Sequence, residues 1–271
     1  MGNTETAVRT VSVAMCTWNG SIWLEEQLRS IVDQTRRVDE IIVGDDASSD
    51  ASVSVATRIL SRSGIKHRIE TNPTNLGSTK SFERAIGFCD GDLVAFADQD
   101  DAWLPQKIER ICQILSDHPE LSWVFSDLEL GNENLIPSGR GMWERIGFGA
   151  SRRQGFNDGR QLETILKRPI ATGAAMAVRR ESLRSALPFP SDWIHDQWVS
   201  TVLAATGRKG YALDERLVRY RVHSTQQVGE RQARFGSQVR RSIATGADEY
   251  LDAVARLDSL AGFLRRLPEP D

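Results

Sequence analysis

The sequence predicts an α/β fold built on a mostly parallel β-sheet flanked by helices. The first 130 residues alternate short apolar runs with stretches in which apolar residues recur every three or four positions. This alternation is typical of strand–helix–strand units, whose right-handed crossovers make successive strands parallel. Polar clusters directly follow several apolar runs, where ligands bind in such sheets.

Apolar runs predict strands of this first half over 11–15, 40–43, 92–97 and 123–128, and the more polar segment 67–71 is predicted to be a further strand. Four helices are predicted from the apolar stripes Leu24/Leu28/Ile31, Val53/Ala56/Leu60, Phe82/Ala85/Ile86/Cys89 and Ile108/Ile111/Leu115. We expect Ser49 or Asp50 to cap the second helix and Pro105 to open the fourth.

The pattern loosens after Gly131. Residues 131–160 hold seven glycines and no sustained period, so we expect a long loop there. The later pattern predicts a short helix around 162–166, a strand over 174–178, a helix over 195–206 and a strand over 217–222. The tail beyond Gly229 is predicted to be helical, with the apolar stripe Tyr250, Val254, Leu257, Ala261 and Leu264.

The composition is that of an ordinary globular protein: 271 residues, 40% hydrophobic, 26% charged, with a net charge of −3. The lack of a basic excess argues against nucleic-acid binding. Cys16, Cys89 and Cys112 are too few and too scattered for a disulfide framework or a zinc cluster, so we expect buried free thiols in a reducing compartment. No apolar run reaches 18 residues, and residues 1–10 lack the apolar core of a secretion signal. A cytoplasmic location is therefore expected.

The most acidic cluster, Asp98-Gln99-Asp100-Asp101, directly follows the fourth predicted strand. Three carboxylates within four residues repel one another unless a cation lies among them, and Mg²⁺ often bridges carboxylates to substrate phosphates. The alternative is a solvated acidic turn before a helix, where acids also suit the helix dipole. The position after a wholly apolar strand favours the metal site.

Two further clusters follow the first two predicted strands. Asp45-Asp46 ends the second, and Trp18 follows the first. A carboxylate can accept a hydrogen bond from the imide N–H of uracil or thymine, and an aromatic face can stack on the same base. The alternative for residues 45–50 is a helix N-terminus capped by Ser and Asp.

These clusters resemble segments of the family 2 glycosyltransferases with the GT-A fold, a Rossmann-like α/β fold. The matching segments of the first half are Thr17-Trp18-Asn19-Gly20, Gly44-Asp45-Asp46-Ala47-Ser48, Asn75-Leu76-Gly77, Gly91-Asp92 and Asp98-Gln99-Asp100-Asp101-Ala102-Trp103. The Asp-Gln-Asp-Asp-x-Trp form, preceded by Ser81-Phe82-Glu83, is most similar to the rhamnosyltransferase-like branch, which builds bacterial surface polysaccharides.

Three segments extend the resemblance to about residue 229. Residues 172–177 resemble the strand on the acceptor side, residues 193–198 the segment that carries the catalytic base, and Tyr220-Arg221-Val222-His223 the segment that closes over the nucleotide diphosphate. The resemblance implies a glycosyltransferase domain over 8–229, with a nucleotide-sugar-binding half at 8–110 and an acceptor half at 111–229. A C-terminal helical extension over 230–271 is expected to follow.

The resemblance implies an inverting, metal-dependent transfer of a sugar from a nucleotide donor to a glycan or lipid-linked glycan. Asp196 is expected to be the general base, and Mg²⁺ or Mn²⁺ is expected on Asp98, Asp100 and His223. The expected donor-binding residues are Thr17, Trp18, Asn19, Asp45, Asp46, Lys80, Asp98, Gln99, Arg221 and His223. The expected acceptor-side residues are Gly173, Ala174, Trp193, His195 and Trp198. The branch favours dTDP-L-rhamnose as donor, with UDP-sugars second.

Two other functions stay open at this point. A sugar nucleotidyltransferase also handles nucleotide diphosphates with a metal, although no Lys or Arg follows the first strand before Arg29. A non-catalytic sugar-binding or scaffold domain is the second alternative.

The C-terminal stripe likewise has two interpretations. It predicts packing on the body or on a partner helix in an oligomer. The arginines ahead of it leave peripheral contact with the anionic inner face of the plasma membrane as the alternative. They are Arg231, Arg234, Arg240 and Arg241.

Overall fold

The computed structural model describes residues 8–224 and 257–266, and within them nine strands form one sheet flanked by helices. The predicted α/β class is confirmed. In chain order the elements are β1 (Val11–Thr17), α1 (Ser21–Val32), β2 (Glu40–Asp45), α2 (Ser52–Ser63), β3 (Lys66–Thr71), α3 (Ser78–Gly87), β4 (Leu93–Ala97), β5 (Ala102–Trp103), α4 (Lys107–Asp117), β6 (Leu121–Gly131), β7 (Pro137–Gly141), α5 (Met142–Arg145), α6 (Ala150–Asn157), α7 (Gln161–Lys167), a 3₁₀ turn (Gly173–Ala175), β8 (Met176–Arg179), α8 (Arg180–Arg184), α9 (His195–Ala205), β9 (Lys209–Arg221) and α10 (257–264).

Four strands form a parallel half of the sheet, in the order β3-β2-β1-β4. In the central strand β1, Thr17 lies opposite Asp45 of β2, and Met15 lies opposite Ala97 of β4. The carboxyl ends of these strands therefore meet at one edge, which we call the carboxyl edge and define by Thr17, Asp45 and Ala97.

The sheet becomes mixed beyond β4. β8 is antiparallel to both β4 and β6, whereas β6 and β9 are parallel to each other. As a result β6 and β9 end at the carboxyl edge, at Gly131 and Arg221, and β8 begins there at Met176. The two-residue strand β5, which the sequence did not predict, pairs with β9 and directly follows the acidic cluster.

Both faces of the sheet are buried. On one face Met15 of β1 packs in a cluster with Leu28 of α1 and Ile111 of α4. On the other face Phe96 of β4 packs with Phe82 of α3, and the helix α9 joins the same cluster. This arrangement brings the starts of α3 and α9 together below the carboxyl edge.

The expected loop over 131–160 is wrong. This segment contains β7, α5 and α6, which are five, four and eight residues long. Trp143, Phe148 and Phe156 anchor it in the core. Elements this short do not contain enough residues to show a clear hydrophobic period. Glycines lie at the turns between them, as at Gly147 and Gly159, which have positive φ angles of 67° and 105°.

Several predicted boundaries also shift. The second helix begins at Ser52, and Ala51, rather than Ser49 or Asp50, occupies the cap position. The Asp50 carboxylate still accepts a hydrogen bond from the Ser52 N–H at 2.9 Å. The fourth helix begins two residues after Pro105, and the last strand is longer than predicted because pairing with β6 carries it back to Lys209.

The short C-terminal helix α10 packs against the body. Leu260 and Phe263 are buried, and the Phe263 ring lies edge-on to Trp198 of α9 with ring centroids 4.9 Å apart. The predicted stripe is wrong at Leu257, whose side chain is 51% exposed. The rest of the predicted extension, including Tyr250 and Val254, lies outside the described residues. Among the helices of the described segments, none is long and apolar enough to cross a membrane.

Candidate active site

The loop after β1 is held in place by the side chain of Gln99. The side-chain amide oxygen of Gln99 (Oε1) accepts hydrogen bonds from the Thr17 hydroxyl and from the Trp18 N–H, both at 2.8 Å. Gly20 lies so close that a Cβ at this position would overlap Gln99 Oε1. Trp18 is 41% exposed, so its ring is available to a ligand, whereas Gln99 is used to shape the loop.

Asn19 ties this loop to the one that follows β2. Its backbone N–H donates to Ser48 Oγ at 2.9 Å, and its side-chain oxygen accepts from the Ser49 N–H at 2.8 Å. The φ angle of Asn19 is 47°, in the left-handed region that asparagine tolerates better than most residues. Asn19 therefore braces the two loops together.

The neighbouring carboxylates Asp45 and Asp46 have different surroundings. Asp46 accepts hydrogen bonds from the Leu76 and Gly77 N–H groups and from the side chain of Asn72, at 2.8–2.9 Å. It therefore fixes the loop that leads into α3. Asp45 is fully buried, and its Oδ2 accepts from the Ser48 N–H, while no hydrogen-bond partner for its Oδ1 lies within the described residues.

The acidic loop after β4 is organised by α1 and β9. Gln27 of α1 donates to the Asp98 carbonyl at 2.8 Å, and the Arg221 N–H donates to Asp101 Oδ1 at 3.1 Å. His223 Nε2 lies 2.8 Å from Asp100 Oδ2. In the described part of the chain, Asp101 Oδ2 is buried without a partner.

Arg221 is a buried brace for this loop. Its guanidinium donates to the Asp100 carbonyl and to Glu26 Oε2, each at 2.6 Å, and also to the Glu133 carbonyl. The sequence did not single out Trp23, Glu26 and Gln27 of α1. Gln27 is buried on the same helix face as Leu24 and Leu28. Trp23 packs against the His223 ring with centroids 4.0 Å apart.

The carboxylates at this edge affect one another's pKa values. Burial raises the pKa of Asp98 to about 7, and the negative charges of Asp100 and Asp196 act in the same direction. Burial, followed by the charges of Asp100 and Asp98, raises the pKa of Asp101 well above its usual range. The pKa of Tyr220 is raised well above its usual range by burial and by the same group of carboxylates. The carboxylates of this cluster therefore resist being ionised together unless positive charge lies among them.

This cluster suits a divalent cation in its chemistry. Within residues 8–224 and 257–266, no three His, Cys, Asp or Glu side chains are arranged to hold a metal ion. Asp100 Oδ2 and His223 Nε2 nevertheless lie 2.8 Å apart, a separation at which two donors can share one ion. Oxygen and imidazole donors fit Mg²⁺ or Mn²⁺.

Lys107 is a buried cation that the sequence analysis missed. It is the first residue of α4, is 0% exposed, and donates from Nζ to the Ala174 carbonyl at 2.6 Å. The ammonium also lies 3.5 Å from the centre of the Trp103 ring. Burial lowers its pKa well below the usual range, against the charges of Asp101 and Asp98. The available signal was its spacing, because Lys107 precedes Ile111 by four residues and so lies on the apolar stripe.

Asp196 lies in the first turn of α9, next to the 3₁₀ turn before β8. Its Oδ2 accepts from the Gly173 N–H at 2.8 Å, and its Oδ1 accepts from the Gln197 N–H at 2.6 Å. His195 is buried beside it and stacked on Phe82, and burial lowers its pKa. Neither His195 ring nitrogen has a hydrogen-bond partner among the described residues.

The remaining predicted residues have internal contacts. Lys80 Nζ donates to Glu83 at 2.9 Å and to the Phe189 carbonyl at 2.6 Å, so it clamps the segment before α9. Trp198 is fully buried and donates to the Ala186 carbonyl at 2.7 Å. Trp193 lies edge-on to Trp198 with ring centroids 5.3 Å apart. In this structure Lys80 and Trp198 therefore support the site from within.

Comparisons with known proteins identify the fold. A Staphylococcus aureus TarS fragment (residues 1–349), solved with UDP-GlcNAc, superposes with a TM-score of 0.63 at 18% identity, over 80% of this chain and 60% of that one. The mannosyltransferase PcManGT from Pyrobaculum calidifontis, solved with GDP-Man and Mn²⁺, gives 0.62 at 19% identity, over 96% and 77%. The GT-A type of the fold is therefore confirmed.

Sequence similarity identifies the family. The dTDP-rhamnosyl transferase RfbG of Shigella flexneri is 33% identical over 133 residues, which are 46% of this chain and 43% of that protein. The chain spans about half the length of the curated relatives it matches. The family model described as "Glycosyl transferase family 2" matches residues 12–187. Because this match covers well over half of the sequence, the chain belongs to glycosyl transferase family 2.

Proposed function

We propose that this chain transfers a sugar, with inversion, from a dTDP- or UDP-sugar to a hydroxyl of a glycan or lipid-linked glycan. The observation that carries the proposal is the meeting of the acidic loop 98–101, His223 and Asp196 at one edge of the sheet. A site for a diphosphate and a base for an acceptor then lie side by side. dTDP-L-rhamnose is the proposed donor, in line with the similarity to RfbG.

The nucleotide base is proposed to bind between Trp18 and Asp45. The exposed Trp18 ring offers a face for stacking. The buried Oδ1 of Asp45, without a partner among the described residues, can accept from the imide N–H that thymine and uracil share. Guanine also has a ring N–H, at N1, but it is part of a larger two-ring base, so uracil and thymine nucleotides are the expected donors.

Asp196 is proposed to be the general base. One of its carboxylate oxygens takes the proton of the acceptor hydroxyl. The hydroxyl oxygen forms a bond to the anomeric carbon of the donor sugar, while the bond between that carbon and the diphosphate oxygen breaks. The N–H groups of Gly173 and Gln197 orient the carboxylate for this transfer. The buried contacts of Arg221 hold the acidic loop that lies beneath the diphosphate.

Asp98, Asp100 and His223 are the residues that would hold Mg²⁺ or Mn²⁺. When bound, the ion supplies positive charge that stabilises the departing diphosphate. Within the described residues, the Arg221 guanidinium is used to brace the loop. Asp100→Ala is expected to abolish the gain in donor affinity that Mn²⁺ provides, measured by calorimetry with and without the ion.

The donor is tested by thermal shift with Mn²⁺ and dTDP-L-rhamnose, UDP-glucose or GDP-mannose. We expect the dTDP- and UDP-sugars to raise the melting temperature, since ligands stabilise the state they bind. GDP-mannose is the matched purine control and should have the smaller effect. An equal or larger shift with GDP-mannose would contradict the base site.

The base is tested by release of nucleoside diphosphate from the stabilising donor. Asp196→Asn should lower turnover by about 10²-fold or more with unchanged donor affinity. Asp192→Asn, in the loop before α9, is the matched control. Normal turnover of Asp196→Asn would assign the base elsewhere, and binding without any release by the wild-type protein would favour a sugar-binding module.

A further inference from the structure

Lys107 is a buried ammonium to which the proposed chemistry gives no role. A buried charge is costly unless its donors are used, and an apolar residue would fit the stripe of α4 with less cost. Here the ammonium donates to the Ala174 carbonyl at 2.6 Å and lies 3.5 Å from the centre of the Trp103 ring. A charged donor makes a stronger hydrogen bond to a carbonyl than a neutral one. The contact with Ala174 is therefore a strong point of attachment.

The attached carbonyl belongs to the 3₁₀ turn Gly173–Ala175. One residue earlier in the same turn, the Gly173 N–H donates to Asp196 Oδ2 at 2.8 Å. The other Asp196 oxygen accepts from the N–H of the next residue, Gln197. In the described segments, the turn thus provides the hydrogen bond to this carboxylate from outside α9.

The Gly173–Ala175 turn is also tightly packed on the side that faces α9. A Cβ at Gly173 would lie 2.7 Å from His195 Nε2, so the backbone lies directly against the imidazole ring. The His195 ring is itself stacked on Phe82 with centroids 3.9 Å apart. The turn is therefore confined between this ring and the Lys107 side chain.

We propose that Lys107 is a positioning residue for Asp196: it holds the Ala174 carbonyl, fixes the Gly173–Ala175 turn, and through the Gly173 N–H sets the orientation of the carboxylate. The proposal rests on the proposed function, in which Asp196 is the base. It assigns to α4, on one face of the sheet, control over a residue of α9 on the other face.

Backbone hydrogen exchange of the full chain tests the structural part without any substrate. Lys107→Met removes the charge and the donor at nearly the same volume. We expect Lys107→Met and Asp196→Ala each to speed exchange of the amides in residues 172–175 by about tenfold, since each removes one hydrogen bond that holds the turn. The double variant should exchange no faster than the faster single variant. Exchange at the wild-type rate in Lys107→Met overturns the proposal.

Arg179→Met is the matched control. Arg179 is a buried cation at the opposite end of β8, and it donates to the Leu121 and Leu115 carbonyls at 2.8 and 3.1 Å. Its replacement should leave exchange in residues 172–175 unchanged. Equal acceleration by Arg179→Met and Lys107→Met would mean general loosening and would overturn the proposal.

Turnover tests the functional part, measured as dTDP release from dTDP-L-rhamnose with Mn²⁺. We expect Lys107→Met to lower kcat by about 10²-fold with an unchanged donor KM, because a misplaced base loses turnover rather than binding. In an Asp196→Asn background the same change should have little further effect. An equal loss in both backgrounds overturns the proposal. Lys107→Arg, which keeps a charged donor, should recover part of kcat.

Two controls keep the outcomes distinct. If circular dichroism shows that Lys107→Met does not fold, Lys107→Gln replaces it in both experiments, since its amide keeps an uncharged donor. Wild-type protein that releases no nucleotide from any donor contradicts the proposed function, while the exchange result still decides whether Lys107 fixes the turn.

Discussion

The loops after β1 and β2 are tied to each other at several points, whereas the Asp196 carboxylate is held from outside its helix by one backbone N–H of the described chain. Asn19 contacts Ser48 and Ser49, and the Gly20 N–H donates to Ser52 Oγ at 2.9 Å. Asp196 depends instead on the Gly173 N–H. We therefore expect the loops after β1 and β2 to keep their positions when one contact is lost, and the Asp196 carboxylate to lose its position when the Gly173 contact is lost.

Gly173→Ala should have the largest effect, because it acts on the side with one contact. Its Cβ would lie 2.7 Å from His195 Nε2 and 3.5 Å from Asp196 Cβ, so the turn must move. We expect turnover to fall by about 10²-fold with unchanged nucleotide affinity. Gly87→Ala, where nothing lies within 4 Å of the added Cβ, is the control. Wild-type turnover in Gly173→Ala would remove the contrast between the two sides.

Gly20→Ala should have the next largest effect, now on the braced side. The added Cβ overlaps the Gln99 carboxamide, which must leave Thr17 and Trp18. We expect the free energy of unfolding, measured in urea, to fall by about 1–3 kcal/mol. In a Gln99→Ala background the overlap is gone and the loss should be smaller. The same loss in both backgrounds would show that Gln99 is not the cause.

Asn19→Ala should have a smaller effect, because the Gly20 N–H still donates to Ser52 Oγ and the Ser21 N–H still donates to Asp50 Oδ2, at 2.9 and 3.0 Å. The Ser49 N–H loses its acceptor, which we expect to lower the free energy of unfolding by about 1 kcal/mol. Asn19→Asp keeps an acceptor oxygen and a tolerated backbone conformation, and it is the matched control. A decrease in the free energy of unfolding as large as that of Gly20→Ala would mean that the remaining contacts do not hold the loop when Asn19 is lost.

Glu25→Gln should have the smallest effect on stability, because Glu25 lies on α1 with a partly exposed side chain. Glu25 pairs with Arg58 of α2 at 2.6 Å and with Arg29 at 2.7 Å, and these two partners lower its pKa to about 2. Because the pKa is lower in the folded than in the unfolded state, the pair stabilises the fold above the unfolded-state pKa. That stability disappears as the pH falls toward 2.

The measurement for Glu25→Gln is the melting temperature at pH 7 and near pH 2. Wild type should exceed the variant at pH 7, by a small margin because the pair is exposed, and the two should coincide at the acidic end. Glu144→Gln, which breaks the exposed pair with Arg140, is the matched control. A difference that persists unchanged at low pH would rule out the ion pairs as its source.

The placement of the acidic loop could be predicted because connections between parallel strands bring their carboxyl ends to one edge. Thr17, Asp45 and Asp98 follow neighbouring strands and meet there, as the alternation of elements implies. The antiparallel strand β8 could not be placed in this way. Its contact with the site comes from its beginning, at the turn that includes Gly173.

The braces were harder to predict, because the same residue types hold loops and bind ligands. Asp46, Gln99 and Arg221 fit the chemistry of a nucleotide site, yet in the structure they are bound to neighbouring backbone and side-chain groups. Trp23 and Gln27 belong to a helix whose pattern shows which face is buried but not which polar residues touch a distant loop. Lys107 carried a local signal as a charged residue on an apolar stripe, and Gln27 carried a similar one as a polar residue three positions after Leu24.

The packing of α10 has a consequence for where the chain can be cut. Leu260 and Phe263 cover part of α9, and Phe263 lies against the Trp198 ring. A fragment that stops before this helix exposes the aromatic surface around Trp198. If such a fragment bound to lipid vesicles, that binding would reflect the exposed surface and not a membrane contact of the longer chain. Leu257→Lys places a charge on the exposed side of the helix, so it tests surface contacts while Phe263 still covers Trp198.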